Sequence, residues 1–172
     1  MMNTCSKINR GVLFAKLPTA WQILQHALED YLVVVQRPEL YRLDDSRWID
    51  LDHQTGHVLC SFGGAVKAVS YQLGPQELAG NYNVNWSERY ASKDEPFKGN
   101  FIGRRILALD CLSHGNVGEF IAFIGLCNTD LRKDYNAAAH RERVEMPCYI
   151  AQPDAFVAKI ENVIWNLRFE NF

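Results

Sequence analysis

Five side chains with metal-binding or acid–base chemistry crowd one short stretch: Asp50, Asp52, His53, His57 and Cys60. Histidine, cysteine and carboxylate are the ordinary ligands of zinc and related transition metals. On a helix, His53 and His57 would share one face, and Cys60 would extend that face by three residues. With Asp50 or Asp52 beside them, a bound metal could turn water into a nucleophile at neutral pH. That chemistry defines one alternative, a metal-dependent hydrolase built on His53 and His57. Against it, Gly56 separates the histidines, and Thr55-Gly56 reads as a turn. No HExxH is present, and spacing nominates no fourth ligand. The favoured reading is an acidic turn in which Asp52 or Thr55 caps the following helix. No metal or other cofactor is therefore expected.

Nucleophilic catalysis finds less material. The chain has no Gly-x-Ser-x-Gly elbow. Cys111 and His114 stand three apart at the end of one expected helix, where a charged His114 could lower the thiol pKa. A helix C-terminus is negative and opposes a thiolate, so the pair reads as a structural cysteine beside a helix-ending histidine. Gly63-Gly64 lacks the lysine spacing of a phosphate loop. Arg104 and Arg105 read as solvated or interhelical, facing the acids of residues 44–52.

One segment has the chemistry of recognition. Tyr82, Trp86, Arg89, Tyr90 and Phe97, with Lys93 and Lys98 among them, are the residue types that dominate protein interfaces. The same mixture can stack unpaired bases, but Glu88, Asp94 and Glu95 cancel the local positive charge and disfavour nucleic acid. A third use is a lid that packs these rings on its own helices.

The elements that position these groups follow from periodicity. Trp21, Leu24, Leu28, Leu32 and Val35 recur at helical steps, with Pro18 suited to a first turn and Arg37-Pro38 as a stop. Residues 39–54 read as a loop with at most one short strand near 48–51. A second helix is expected over about 57–73, with Leu59, Phe62, Val66, Val69 and Leu73 on one face and Gly74-Pro75 closing it. Gly63-Gly64 inside it costs about 1 kcal/mol per glycine relative to alanine, which points to close approach of another helix backbone. A third helix is expected over 102–112, and a fourth starts from Asn116 with Glu119 completing a capping box. The last begins near Pro153-Asp154 and buries Phe156, Ile160, Val163, Ile164 and Leu167. Residues 82–90 and the stretch around 137–139 are further helix candidates, and residues 1–16 are expected to form a flexible N-terminal segment.

The block from Cys60 to Ala68, Cys-Ser-Phe-Gly-Gly-Ala-Val-Lys-Ala, together with Leu107-Ala108-Leu109-Asp110, resembles small uncharacterised proteins encoded by phages and proteobacterial prophages. The resemblance spans roughly residues 50–125. It implies a phage or mobile-element setting and assigns no chemistry.

Composition sets the outer limits. The chain has 172 residues, 48% hydrophobic and 22% charged, with 18 basic and 20 acidic side chains. These are the proportions of an ordinary globular domain, not of a disordered tail or a coiled-coil rod. Both signs of charge are spread along the chain, and no run is long and apolar enough for a membrane span. Five widely spaced cysteines without a CxxC pair suit reduced thiols in a cytoplasm. The expectation is one mostly α-helical domain of five to seven helices with a small β element, an α+β fold being the alternative. The functional expectation is a non-enzymatic phage accessory protein that binds and modulates a host protein through Tyr82, Trp86, Arg89, Tyr90 and Phe97. A self-associating component, a homodimer joined at the Gly63-Gly64 helix, is the third alternative.

Overall fold

The computed structural model describes residues 19–80, 96–125, 143–170 and 172. Six helices and a three-stranded sheet run in the order α1 (Ala20–Val35), β1 (Tyr41–Leu43), β2 (Ile49–Leu51), β3 (Val58–Cys60), α2 (Phe62–Ser70), α3 (Pro75–Gly80), α4 (Pro96–Ser113), α5 (Val117–Gly125) and α6 (Pro153–Phe169). The fold is mostly α with a small β element, as the periodicity predicts. The expected structure of residues 1–16, 82–90 and 137–139 lies outside the described residues.

Helix α1 starts at Ala20, two residues later than Pro18 suggests. Thr19 is its N-cap: its hydroxyl accepts from the Gln22 N–H, and the Gln22 side chain accepts from the Thr19 N–H in return. This reciprocal pair satisfies two amide groups that a helix start leaves without partners. The helix ends at Gln36, ahead of the proline stop.

Residues 39–60 are not the loop and helix start that the spacing suggests. They form three short strands, ordered β1-β3-β2. β3 pairs parallel with β1, Leu43 opposite Cys60, and antiparallel with β2, Ile49 opposite Cys60. Val58 and Cys60 point inward with Leu59 half-buried between them, a period of two rather than 3.6. Leu59 and Phe62, three apart, fit a helical step while Val58 and Cys60, two apart, fit a strand, so spacing alone could not separate strand from helix. Ser61 makes the break, its hydroxyl accepting from the Gly64 N–H as the N-cap of α2. At the other end α2 stops at Tyr71, Gln72 turns through a left-handed conformation, and Gly74-Pro75 opens α3 instead of closing α2.

Helices α1, α4, α5 and α6 enclose the larger core, in which Tyr31, Phe62, Phe156 and Tyr149 meet edge to face or tilted. The Tyr31 hydroxyl donates to the Tyr149 carbonyl at 2.6 Å, tying α1 to the segment before α6. A smaller core joins the sheet to α2 and α3. Helix α2 reaches both neighbours through its glycines. A Cβ on Gly63 would strike the backbone of Ile106 in α4, and one on Gly64 would strike the Trp48 carbonyl. The close approach expected from Gly63-Gly64 is thus present, and it is internal. Both glycines of the motif are occupied by contacts within the chain.

Candidate functional site

The hairpin that carries the metal candidates is a turn, not a helix. Asp52 organises it, accepting from the Gln54 N–H at 2.9 Å and the Thr55 hydroxyl at 2.7 Å, while Gly56 takes a positive φ of 74°. Hydrogen bonds from Thr55 and Gln54 hold the Asp52 carboxyl below its usual range. His53 and His57 therefore flank a turn and share no helical face. Cys60 is fully buried in β3, where desolvation pushes its thiol up to about 12. Among the described residues no three His, Cys, Asp or Glu side chains are grouped to hold a metal ion.

The two motifs of the resemblance do come together. Asp110, at the end of Leu-Ala-Leu-Asp on α4, accepts from the Gly63 N–H at 2.8 Å and the Ser61 hydroxyl at 3.1 Å. A carboxylate thus sits on the positive start of α2, where helix amides and dipole both favour it. Burial outweighs these bonds and raises the Asp110 pKa to about 6. The site is a clamp between α4 and α2. Nearby, His114 Nε2 lies 3.1 Å from Asp45, whose carboxylate also accepts from the Tyr149 hydroxyl at 2.7 Å. His114 is thus directed to Asp45. The Cys111 thiol is pushed up to about 11 by burial and by its hydrogen bond with Glu119.

A cleft between α1, α2 and α4 gathers groups that motif reading missed. Ile23, Val66, Ile106 and Leu109 wall it, with His26, Lys67, Ser70, Tyr71 and Arg105 also in its lining. Arg105 is 8% exposed and Lys67 is 5% exposed, so of the two readings of Arg105 the interhelical one fits and the solvated one does not. His26 Nε2 lies 3.2 Å from Asp30 Oδ2, and the Ser70 hydroxyl donates to that same oxygen at 2.9 Å. Serine, histidine and aspartate are the types of a hydrolytic triad, but the order is different. In a triad one ring nitrogen takes the serine proton while the other faces the acid. Here serine and histidine converge on one carboxylate oxygen, and His26 Nδ1 is buried with no hydrogen-bond partner among the described residues. The cluster joins α1 to α2: Ser70 Oγ also lies 3.5 Å from His26 Nε2, the same ring nitrogen that faces Asp30, so one nitrogen serves both partners instead of the two that a triad uses. The sequence signal was present: His26 and Asp30 are four apart within the buried side of α1.

The cleft volume is about 40 Å³. That accommodates a few waters or the end of one side chain, well below the roughly 300–1,000 Å³ of a small-molecule site. Of the expected contact residues, Tyr82, Trp86, Arg89 and Tyr90 lie outside the described residues. Phe97 falls in the first turn of α4, its side chain outside them as well. The cleft residues Arg105, Ile106 and Leu109 follow on that same helix. No helix among the described residues is long and apolar enough to cross a membrane. No family model matches this chain, and no curated protein or solved structure is similar to it.

Proposed function

We propose that this chain is a phage or prophage accessory module that binds a host protein and inhibits or redirects it. The observation that carries this reading is the cleft, an apolar slot sized for one anchoring side chain and flanked by Lys67 and Arg105. Interfaces concentrate their energy in such pockets, where a single desolvated anchor contributes more than the surrounding rim. In the sequence, the aromatic segment from Tyr82 to Phe97 runs into the start of α4, the helix that carries Arg105, Ile106 and Leu109. Phage origin rests on the resemblance of the α2 and α4 motifs. Cys60, Cys111 and Cys148 are free thiols, which suits action in the host cytoplasm.

The test is capture of a host protein by the tagged chain, compared among wild type, Val66→Trp and Trp86→Ala. Val66 is half-buried at the cleft, and a tryptophan there would fill the slot. One host protein recovered in stoichiometric amount and lost with both variants, at unchanged melting temperature, supports the reading. Undiminished capture by Val66→Trp would show that the cleft is not the seat. An empty capture from the natural host refutes host binding.

A further inference from the structure

Helix α6 carries two stripes. Phe156, Ile160, Val163 and Leu167 face the core and are buried. Ala155, Ala158, Asn162, Trp165 and Phe169 are all exposed, and they recur at alternating steps of three and four. At about 100° per residue the second stripe lies on the side of the helix opposite the first. Trp165 is 68% exposed and Phe169 83%, the two most exposed large hydrophobic residues among those described. Single exposed apolar residues are ordinary, but two aromatic rings one turn apart at the end of a heptad-spaced stripe are a seam.

We propose that this seam pairs with the same seam of a second copy, the two α6 helices lying parallel about a two-fold axis. Three features select a second copy in that orientation. Apolar residues at both core positions of the repeat, with one asparagine among them, make the pattern by which paired helices fix their register. In a parallel pair Asn162 meets Asn162 of the other copy, and one side-chain amide can donate where the other accepts. The flanking charges are also complementary, since Asp154 of each copy falls opposite Lys159 of the other. In the antiparallel alternative that pairs Asp154 with Arg168, Glu161 would face its own copy, a like-charge contact that opposes that arrangement.

The area fits a modest affinity. With about 150–250 Å² per aromatic side chain, Trp165 and Phe169 of two copies would together hide roughly 600 Å². The alanines, Asn162 and the flanking chains bring the total toward the roughly 1,200 Å² at which specific interfaces begin. The expected dissociation constant is therefore micromolar, on the order of 10 μM. The seam is separate from the cleft between α1, α2 and α4, so dimer formation leaves the host-binding surface open and presents it twice.

The experiment is sedimentation equilibrium of the full chain from 1 to 100 μM, with Trp165→Glu, Asp154→Lys, Lys159→Asp and the Asp154→Lys/Lys159→Asp double variant. A reversible dimer that weakens at least tenfold in Trp165→Glu, weakens in each charge reversal and recovers in the double variant is the expected result. Melting temperatures at 1 μM, where the chain is monomeric, check that each variant folds. A strict monomer at 100 μM overturns the proposal, as does a dimer indifferent to Trp165→Glu. A double variant that stays weak overturns the parallel pairing. A monomer that still captures a host protein would remove the dimer and leave the host-binding reading intact.

Discussion

Replacing Gly63 by alanine tests the central joint of the fold, the approach of α2 to α4. By helix propensity alone the change should stabilise α2 by about 1 kcal/mol. The structure reverses the sign. A Cβ at Gly63 would lie 2.9 Å from Ile106 Cα and closer still to the Ile106 carbonyl oxygen, and both are backbone atoms that no rotamer change can move aside. Relief requires α2 and α4 to separate, which loosens the Asp110 bond to the Gly63 N–H. Overpacking of this kind costs typically 1–3 kcal/mol, and a weakened buried hydrogen bond adds about 1. The net expectation is a loss of about 1–3 kcal/mol, or roughly 3–10 °C in melting temperature for a chain of this length. Gly80→Ala is the control, since a Cβ there meets nothing within 4 Å. It should be neutral or gain up to about 1 kcal/mol. Urea unfolding followed by far-UV circular dichroism measures both variants. A Gly63→Ala chain as stable as Gly80→Ala would refute the backbone contact between α2 and α4.

Two further outcomes follow from buried ionisable groups. The Asp110 carboxyl titrates near 6 when folded and near 3.8 when free, so between those values the native state holds a proton that the unfolded chain has released. Stability should therefore fall by about 2–3 kcal/mol as pH rises from 4 to 6. Asp110→Asn, which cannot titrate, should flatten that part of the urea-midpoint profile; parallel profiles would rule out Asp110 as the source. Thiol reactivity should follow burial. Cys148, which is exposed, should be alkylated within minutes at pH 8, while Cys60 and Cys111, with thiols pushed up to about 12 and about 11, should react only on unfolding. Mass-spectrometric mapping distinguishes them, and rapid labelling of Cys60 in the native chain would contradict its placement in β3.

Much of the helical frame was legible from local chemistry. The apolar spacing of 21–35, the Pro153-Asp154 start and the stripe through Phe156, Ile160, Val163 and Leu167 each specify a helix without reference to the rest of the chain. Asn116 accepts from the Glu119 N–H, as its position ahead of an apolar run predicts. The two glycines in α2 announced a close contact because nothing local repays their entropy. Tertiary structure decided the remainder. Val58, Leu59 and Cys60 become a strand because β1 and β2 arrive on either side to complete their hydrogen bonds, and no local signal records that arrival. The histidine pair lost its shared face through the same event.

The chemistry of the polar groups was likewise set by who meets whom. Asp110 reads as an ordinary helix residue until α2 presents its first amides to it. Ser70 and Asp30 are forty residues apart and become partners only when α1 packs on α2. Sequence by itself determined which residues prefer a helix and which face of it is apolar, because those depend on neighbours within one or two turns. Which helix a glycine touches, whether a carboxylate is buried, and which aromatic rings stay in water depend on contacts between distant segments. Those contacts exist only once the chain has folded.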